Sequence, residues 1–157
     1  MNTETFKRSE QLEPLNGEHQ EGLLFISRVR QYLDKISVER LRNYVLWYWK
    51  NHIRTHFFQE ERILTQYMLV DHPLIRRMRE EHSEIRELIL SLDRNAERST
   101  LITFCNLIEA HIQFEEEILY CYLELHLSEQ QLNKIKMMVD THPVESGKWE
   151  DVFWLCE

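Results

Sequence analysis

A histidine and a glutamate one helical turn apart, His56-x-x-x-Glu60, recur 55 positions later as His111-x-x-x-Glu115. A spacing of four sets both side chains of each pair on one face of a helix. The chain must therefore fold into helices that can turn two such faces toward each other. The repeat extends beyond these pairs. Laying 46–67 on 101–122 gives nine identities in 22 positions, among them Leu46/Leu101, Asn51/Asn106, Ile53/Ile108, Glu61/Glu116, Ile63/Ile118 and Tyr67/Tyr122. A shift of 63 lays Glu18-His19-Gln20-Glu21 on Glu81-His82-Ser83-Glu84. Two copies are too few for a solenoid, which needs about three. The pattern reads as one helix pair used twice, each copy bringing a lone histidine and a His/Glu pair to a shared core.

The rest of the chain permits long helices. Only three glycines and three prolines interrupt 157 residues, and no segment alternates apolar and polar residues as a half-buried strand does. The expected fold is all-α: an up-down-up-down four-helix bundle with an extra short C-terminal helix and an aromatic tail packed on it. The first helix starts at Pro14, which suits a first turn because its missing N–H costs nothing there. Its inner stripe is Leu15, His19, Leu23, Ile26, Val29 and Leu33, interrupted mildly by Gly17 and Gly22. The second helix spans about 39–67, with Leu41, Val45, Trp49, Ile53, His56, Glu60, Ile63 and Tyr67 inward. A third spans about 73–93, from Pro73, on the stripe Ile75, Met78, His82, Ile85, Ile89 and Leu92. The fourth is capped by Ser99 or Thr100 and reaches about 127, presenting Phe104, Ile108, His111, Glu115, Ile118 and Tyr122. Ser128 with Gln131 forms a capping box for a short fifth helix. In domain terms, 1–13 is an N-terminal extension, 14–127 the bundle, and 128–157 the short helix and tail, whose Trp149, Phe153 and Trp154 are too aromatic to be solvated.

Several function classes are excluded by charge and hydropathy. A net charge of −8 lacks the basic footprint that phosphate binding requires, so neither nucleic acid nor an anionic membrane surface is an expected partner. No apolar run reaches the roughly 18 residues of a membrane span, and Met1–Arg8 lacks a signal-peptide core. A cytoplasmic protein is expected. Cys105, Cys121 and Cys156 are odd in number and lack C-x-x-C spacing, so they read as reduced thiols.

Each of the four histidines His19, His56, His82 and His111 falls on an apolar stripe. One buried imidazole is easily satisfied by a hydrogen bond; four, one per helix, ask for a common purpose. Glu60 and Glu115 sharpen the point, because two carboxylates facing each other in a core repel unless protonated or bridged by cations. Helical bundles build carboxylate-bridged di-metal sites in this way. Two ions sharing Glu60 and Glu115 account for all six side chains: His19 and His56 complete one, His82 and His111 the other. Nitrogen and oxygen donors without thiolate suit iron or manganese, with zinc a possible substitute.

The order H…H-x-x-x-E…H…H-x-x-x-E, carried by Glu18-His19, His56/Glu60, Glu81-His82 and His111/Glu115, resembles the hemerythrin-like, or HHE cation-binding, domains over about 14–125. The resemblance implies a non-haem di-iron centre in a four-helix bundle, in a family whose members bind oxygen, sense it or iron, or respond to nitric oxide and help repair iron–sulfur centres. Oxygen-carrying members add a fifth histidine on the third helix and an H-x-x-x-x-D pair on the fourth. Here Met78 and Arg86 stand one turn either side of His82, and the fourth helix has H-x-x-x-E. The repair members usually carry a cysteine-containing amino-terminal region, for which there is no room before Pro14. The expectation is therefore a di-iron protein that binds or reduces oxygen, peroxide or nitric oxide. The alternatives are an iron- or oxygen-responsive interaction module and a repair protein.

Other residues carry secondary expectations. His52 lies one turn before His56 and reads as a hydrogen-bonded or exposed histidine before a ligand; Tyr67 and Tyr122 read as core caps before proton or electron donors. Glu61 and Glu116 fit ligand orientation and a solvated helix edge equally well. Trp47, Tyr48, Trp49, Phe57 and Phe58 form an aromatic run that is core or interface, and an exposed strip of it would favour a homodimer. His72, His126 and His142 suit helix boundaries.

Overall fold

The computed structural model describes residues 8–141 and 147–155, and among them every regular element is a helix, with no strand. Cys156, His142 and Pro143, and residues 1–7 of the expected N-terminal extension, lie outside the described residues. A 3-10 turn, Glu10–Leu12, leads into α1 (Glu13–Tyr32). Next come α2 (Val38–Tyr48), a π-helical stretch over Trp49–Ile53 and α3 (Arg54–Leu64), one uninterrupted helical rod. α4 (Pro73–Arg94) follows. A second continuous rod of the same kind holds α5 (Arg98–Phe114), a π stretch over Glu115–Leu119 and α6 (Tyr120–His126). α7 (Glu129–Thr141) and a 3-10 turn at Phe153–Leu155 complete the described chain.

Local chemistry sets several of these ends. The Ser37 hydroxyl accepts from Arg40 N at the start of α2, and His72 Nδ1 accepts from Leu74 N at 3.1 Å ahead of Pro73. Ser128 and Gln131 exchange two hydrogen bonds, 2.9 and 3.2 Å, as a reciprocal capping box. Ser99 and Thr100, by contrast, do not cap α5. Arg98 begins the helix, pinned by its 2.7 Å ion pair with Asp34 near the end of α1, so Ser99 and Thr100 lie inside the first turn.

Burial splits into two apolar clusters. Phe25, Ile26, Leu41, Tyr44, Ile89 and Phe104 belong to one; Leu12, Leu15, Leu64, Ile75, Tyr120 and Ile135 belong to the other. Each long rod crosses from one cluster to the other, and it does so at its histidine. Along α1 the order is Leu15, His19, Phe25; along α2–α3, Ile53, His56, Glu60, Leu64; along α4, Met78, His82, Ile85; along α5–α6, Ile108, His111, Glu115, Leu119. Six polar side chains thus form one layer sandwiched between two greasy ones. α5 packs against α1 and α4, α4 also against α2 and α3, and α7 against α1 and α3.

Two inward assignments are corrected by the backbone. Leu23 is exposed while Gly22 faces in, and Ile118 is exposed while Leu119 is fully buried. The second shift has a physical cause: the π stretch beginning at Glu115 inserts extra residues into the turn, so positions beyond it rotate and Tyr120, not Tyr122, reaches the core. The tail covers the first cluster. Phe153 is buried and meets Tyr44 edge-on at 5.2 Å, Tyr32 Oη donates to Trp154 O at 3.1 Å, and Arg40 pairs with Asp151 at 2.7 Å.

Candidate metal centre

The structure brings His19, His56, Glu60, His82, His111 and Glu115 into one buried layer; none is more than 6% exposed. Donor atoms of His19, His56, Glu60 and Glu115 all lie within 4.8 Å of one another, and so do those of Glu60, His82, His111 and Glu115. The two sets share both carboxylates. The sharing is visible atom by atom. Glu115 Oε1 is 3.0 Å from His19 Nε2 and 3.0 Å from His111 Nε2; Glu60 Oε1 is 3.0 Å from His56 Nε2 and 3.5 Å from His82 Nε2. One oxygen of each glutamate therefore stands between a histidine of one set and a histidine of the other.

The imidazoles all turn the same atom inward. His19 and His56 approach Nε2 to Nε2 at 3.2 Å, and His82 and His111 at 3.1 Å. Every outward Nδ1 faces a further carboxylate. His19 Nδ1 is 3.3 Å from Glu116, His111 Nδ1 is 2.9 Å from Glu81, His56 Nδ1 bonds Glu18, and His82 Nδ1 faces Glu61 at 3.8 Å. A carboxylate on Nδ1 holds the proton there and leaves the Nε2 lone pair free for a cation, the usual support of metal-bound histidines. Arginines steady the supports: Arg86 donates to Glu61 at 2.9 Å and Arg77 to Glu81 at 2.8 Å.

Electrostatics in the layer fit a site shaped for positive charge. Burial alone drives the imidazoles of His19, His56 and His111 toward the neutral form, yet the facing carboxylates outweigh it and raise all three, His111 to about 10. Burial likewise opposes ionisation of Glu115, but His111 and its other partners hold it well below the ordinary carboxylate range. Burial works against Glu61 too, and the nearby His82 imidazole together with the Arg86 hydrogen bond brings it down to about 2. Glu60 Oε1, His82 Nδ1 and Glu115 Oε2 are buried without a hydrogen bond of acceptable geometry. Unsatisfied atoms of this kind are costly; a cation between the shared oxygens would engage the two glutamates. The residues present fit a pair of ions with imidazole and carboxylate ligands.

Tyr120 belongs to this layer and was not anticipated. Its hydroxyl donates to Glu60 Oε2 at 2.9 Å, and its ring lies parallel to His19, 5.4 Å away. Phe57 stacks on His82 at 3.7 Å and closes the opposite wall. Tyr67 and Tyr122 are elsewhere: Tyr67 packs on the second apolar cluster, and Tyr122 stacks on His126 at 3.9 Å. His52 joins neither donor set and leans on Tyr48 at 4.6 Å. Of the aromatic run, Tyr48 and Phe57 are buried and Phe58 is exposed.

A family model, the hemerythrin HHE cation binding domain, matches residues 10–123. Comparison with curated proteins and with solved structures gave no match. The matched stretch takes in all six converging side chains, their four outer carboxylates and most of the chain. The chain belongs to the hemerythrin HHE cation-binding family, whose members bind cations, typically iron.

Proposed function

We propose that this is a non-haem di-iron protein that binds or reduces a small oxidant such as oxygen, peroxide or nitric oxide. In this reading α1, α2–α3, α4 and α5–α6 form an up-down-up-down four-helix bundle over residues 14–127. His19 and His56 would hold one iron and His82 and His111 the other, with Glu60 and Glu115 available to both; manganese or zinc could substitute. The observation that carries the reading is the placement of Glu60 Oε1 and Glu115 Oε1, each between one histidine of either set. Two reducible ions so close supply electrons to a small oxidant and a positive point on which it can bind.

The chain's own groups then have separate tasks. Glu18, Glu61, Glu81 and Glu116 orient the imidazoles and keep the Nδ1 protons, so that an entering cation would displace only the Nε2 protons and meet those nitrogens. Tyr120 fixes Glu60 by its hydrogen bond to Oε2 and leaves Oε1 for the ions; its hydroxyl is also the nearest proton to the centre on that side. Phe57 and the apolar clusters above and below exclude bulk water. Four histidines would leave two such ions fewer protein ligands than the five of oxygen carriers supply, which favours reaction with, or response to, the oxidant over reversible carriage.

A second reading is an iron-responsive interaction module, and one contact favours it. The tail reaches the π stretch that leads to His56: Gly147 N donates to Asn51 Oδ1 at 3.0 Å, and Trp149 packs on Trp47 at 5.5 Å. Purified protein reconstituted with iron separates the cases. The di-iron reading expects about two irons per chain and an optical spectrum that differs under air, argon and nitric oxide. Metal content well below one per chain removes both readings. A full complement of iron with a spectrum indifferent to all three gases, and tail residues 147–155 whose hydrogen exchange changes with metal, selects the module.

A further inference from the structure

A cavity of about 480 Å³ lies against the centre on the side of His19, His56 and His111. This volume is in the range of organic-ligand pockets, roughly 300–1,000 Å³, and far exceeds the needs of a diatomic molecule. Two features of the chain border it. One is the π stretch Trp49–Ile53, which presents His52 and Ile53 to the space. The other is Gly22, in the middle of α1.

Gly22 has no backbone reason to be glycine. Its φ is not positive, and a Cβ built on it would meet only Ile112 Cδ1, at an ordinary 3.5 Å. Glycine inside a helix costs roughly 0.5–1 kcal/mol against alanine. The repeat shows what the position otherwise holds: 63 residues on, the equivalent of Gly22 is Ile85, 1% exposed and packed in the core. His52 corresponds in the same way to Leu107. The two halves of the chain thus build the same donor layer, but one half carries a glycine and a histidine where the other carries large apolar side chains. Departures from local rules without packing benefit concentrate at functional sites.

The lining defines the occupant. Its walls are apolar, with Ile53, Phe57, Ile108 and Ile112; the imidazoles of His19, His56 and His111 that border it are each met by carboxylates, its acidic groups are Glu18, Glu21 and Asp140, and among the described residues no lysine or arginine takes part. Glu18 is engaged by His56, whereas Glu21 and Asp140 are exposed and make no ion pair among the described residues. These acids do not form a further metal site: among the described residues no group of three donors converges here outside the two sets of the centre. We propose that this cavity binds a small organic molecule with an apolar body and a protonated amine, the body between Ile53 and Ile112 and the amine at Glu21. The occupant stands between solvent and the imidazoles of His19 and His56.

Benzylamine, benzyl alcohol and benzoate share a ring and differ in charge, so their binding to the full-length protein, metal-free and iron-loaded, tests the proposal by calorimetry or ligand-observed NMR. Benzylamine should bind both forms, and benzoate at least about tenfold more weakly, a difference of about 1.4 kcal/mol. Glu21→Gln should abolish the preference of benzylamine over benzyl alcohol while leaving benzyl alcohol unchanged. Gly22→Leu, which fills the space and raises helix propensity, should weaken both by at least about tenfold in a protein whose circular dichroism is intact. Equal binding of benzoate, no binding of benzylamine, or full benzylamine affinity in Gly22→Leu overturns it. Binding by the metal-free form does not require iron, so a protein that fails to take up iron but binds benzylamine refutes the di-iron reading and leaves this one standing.

Discussion

Glu81 Oε1 lies 2.9 Å from His111 Nδ1 on the neighbouring helix, although the residue beside Glu81 in the chain, His82, supplies its own imidazole to the same layer. Glu18 does the same across from α1, bonding His56 while His19 stands next to it. Glu61 and Glu116 return the relationship, facing His82 and His19 from the positions that follow the two shared glutamates. Every rod thus contributes an inner donor and an adjacent outer carboxylate that serves another rod. The layer is cross-braced: no imidazole can rotate without disturbing a second helix.

Removing one brace should weaken cation binding without removing a donor. Glu81→Gln and Glu18→Gln keep the shape but lose the charge that fixes the Nδ1 proton, and outer carboxylates of this kind carry roughly 10–100-fold in metal affinity. Competition against a chelator for iron or zinc reads the change directly. Glu87→Gln, on the exposed side of α4, is the control and should bind as the parent does. Equal affinity in all three variants would mean that the braces only decorate the helices.

Tyr120→Phe should destabilise the metal-free protein by about 1–3 kcal/mol, the cost of leaving a buried acceptor unsatisfied, because Glu60 Oε2 loses its 2.9 Å partner on a side chain that is 1% exposed. Chemical denaturation of the metal-free form measures it. Tyr122→Phe, at a partly exposed ring stacked on His126, should change stability by less than about 0.5 kcal/mol. A reversed ranking would remove Tyr120 from the centre.

The convergence of six side chains was legible because it rests on the helix period alone. An i,i+4 pair that occurs twice admits few other arrangements, and the apolar stripes around it give the rods. What the period could not give is anything beyond an interruption in it. On the stripe Leu41, Val45, Trp49, Ile53, three successive steps of four drift around a 3.6-residue helix, and the π stretch takes up that drift; a continuous α-helix over 39–67 misses it. The same device at Glu115–Leu119 moves the buried face from Ile118 and Tyr122 forward by one, to Leu119 and Leu123, with Tyr120 buried between them. Glu18 and Glu81 were visible as repeat partners, yet neighbours in a helix point to different sides, so nothing in the local sequence says that each serves a histidine on another rod. Leu23 was placed inward by a step of four from His19, where a step of three to Gly22 is what the cavity uses.

Cys105 and Cys121 should differ sharply toward an alkylating agent. Burial pushes the Cys105 thiol up to about 11, the nearby Arg30 only partly offsetting it, and its sulfur is 1% exposed in the apolar core. Since the thiolate is the reactive species, Cys105 should resist iodoacetamide at pH 8 in the folded protein and react only on unfolding. Cys121 is partly exposed and should label first. The same raised value makes the folded state hold a proton that the unfolded chain releases above about pH 9, so this thiol lowers stability between about pH 9 and 11. Mass spectrometry of the labelled peptides, with modification of Cys105 as fast as that of Cys121, would contradict the packing around it.

Cation uptake should expel protons, and the sign follows from the histidines. In the metal-free protein the facing carboxylates raise His19, His56 and His111 above their ordinary value of 6.5, His111 to about 10, so His111 is charged at pH 7, the other two hold protons more tightly than a free imidazole, and an entering ion must displace those protons. Apparent metal affinity should therefore rise steadily from pH 6 to 9, and calorimetry in two buffers of different ionisation heat should report net proton release. Stability of the metal-free form runs the other way. Groups raised on folding contribute fully below about pH 6.5, and that contribution disappears as pH climbs through the folded value near 10. Iron- or zinc-loaded protein, whose carboxylates are balanced by the ions instead, should lose far less over the same interval. Proton uptake on metal addition, or parallel pH–stability curves for the two forms, would show that the ions do not occupy the space between the imidazoles and the two shared glutamates.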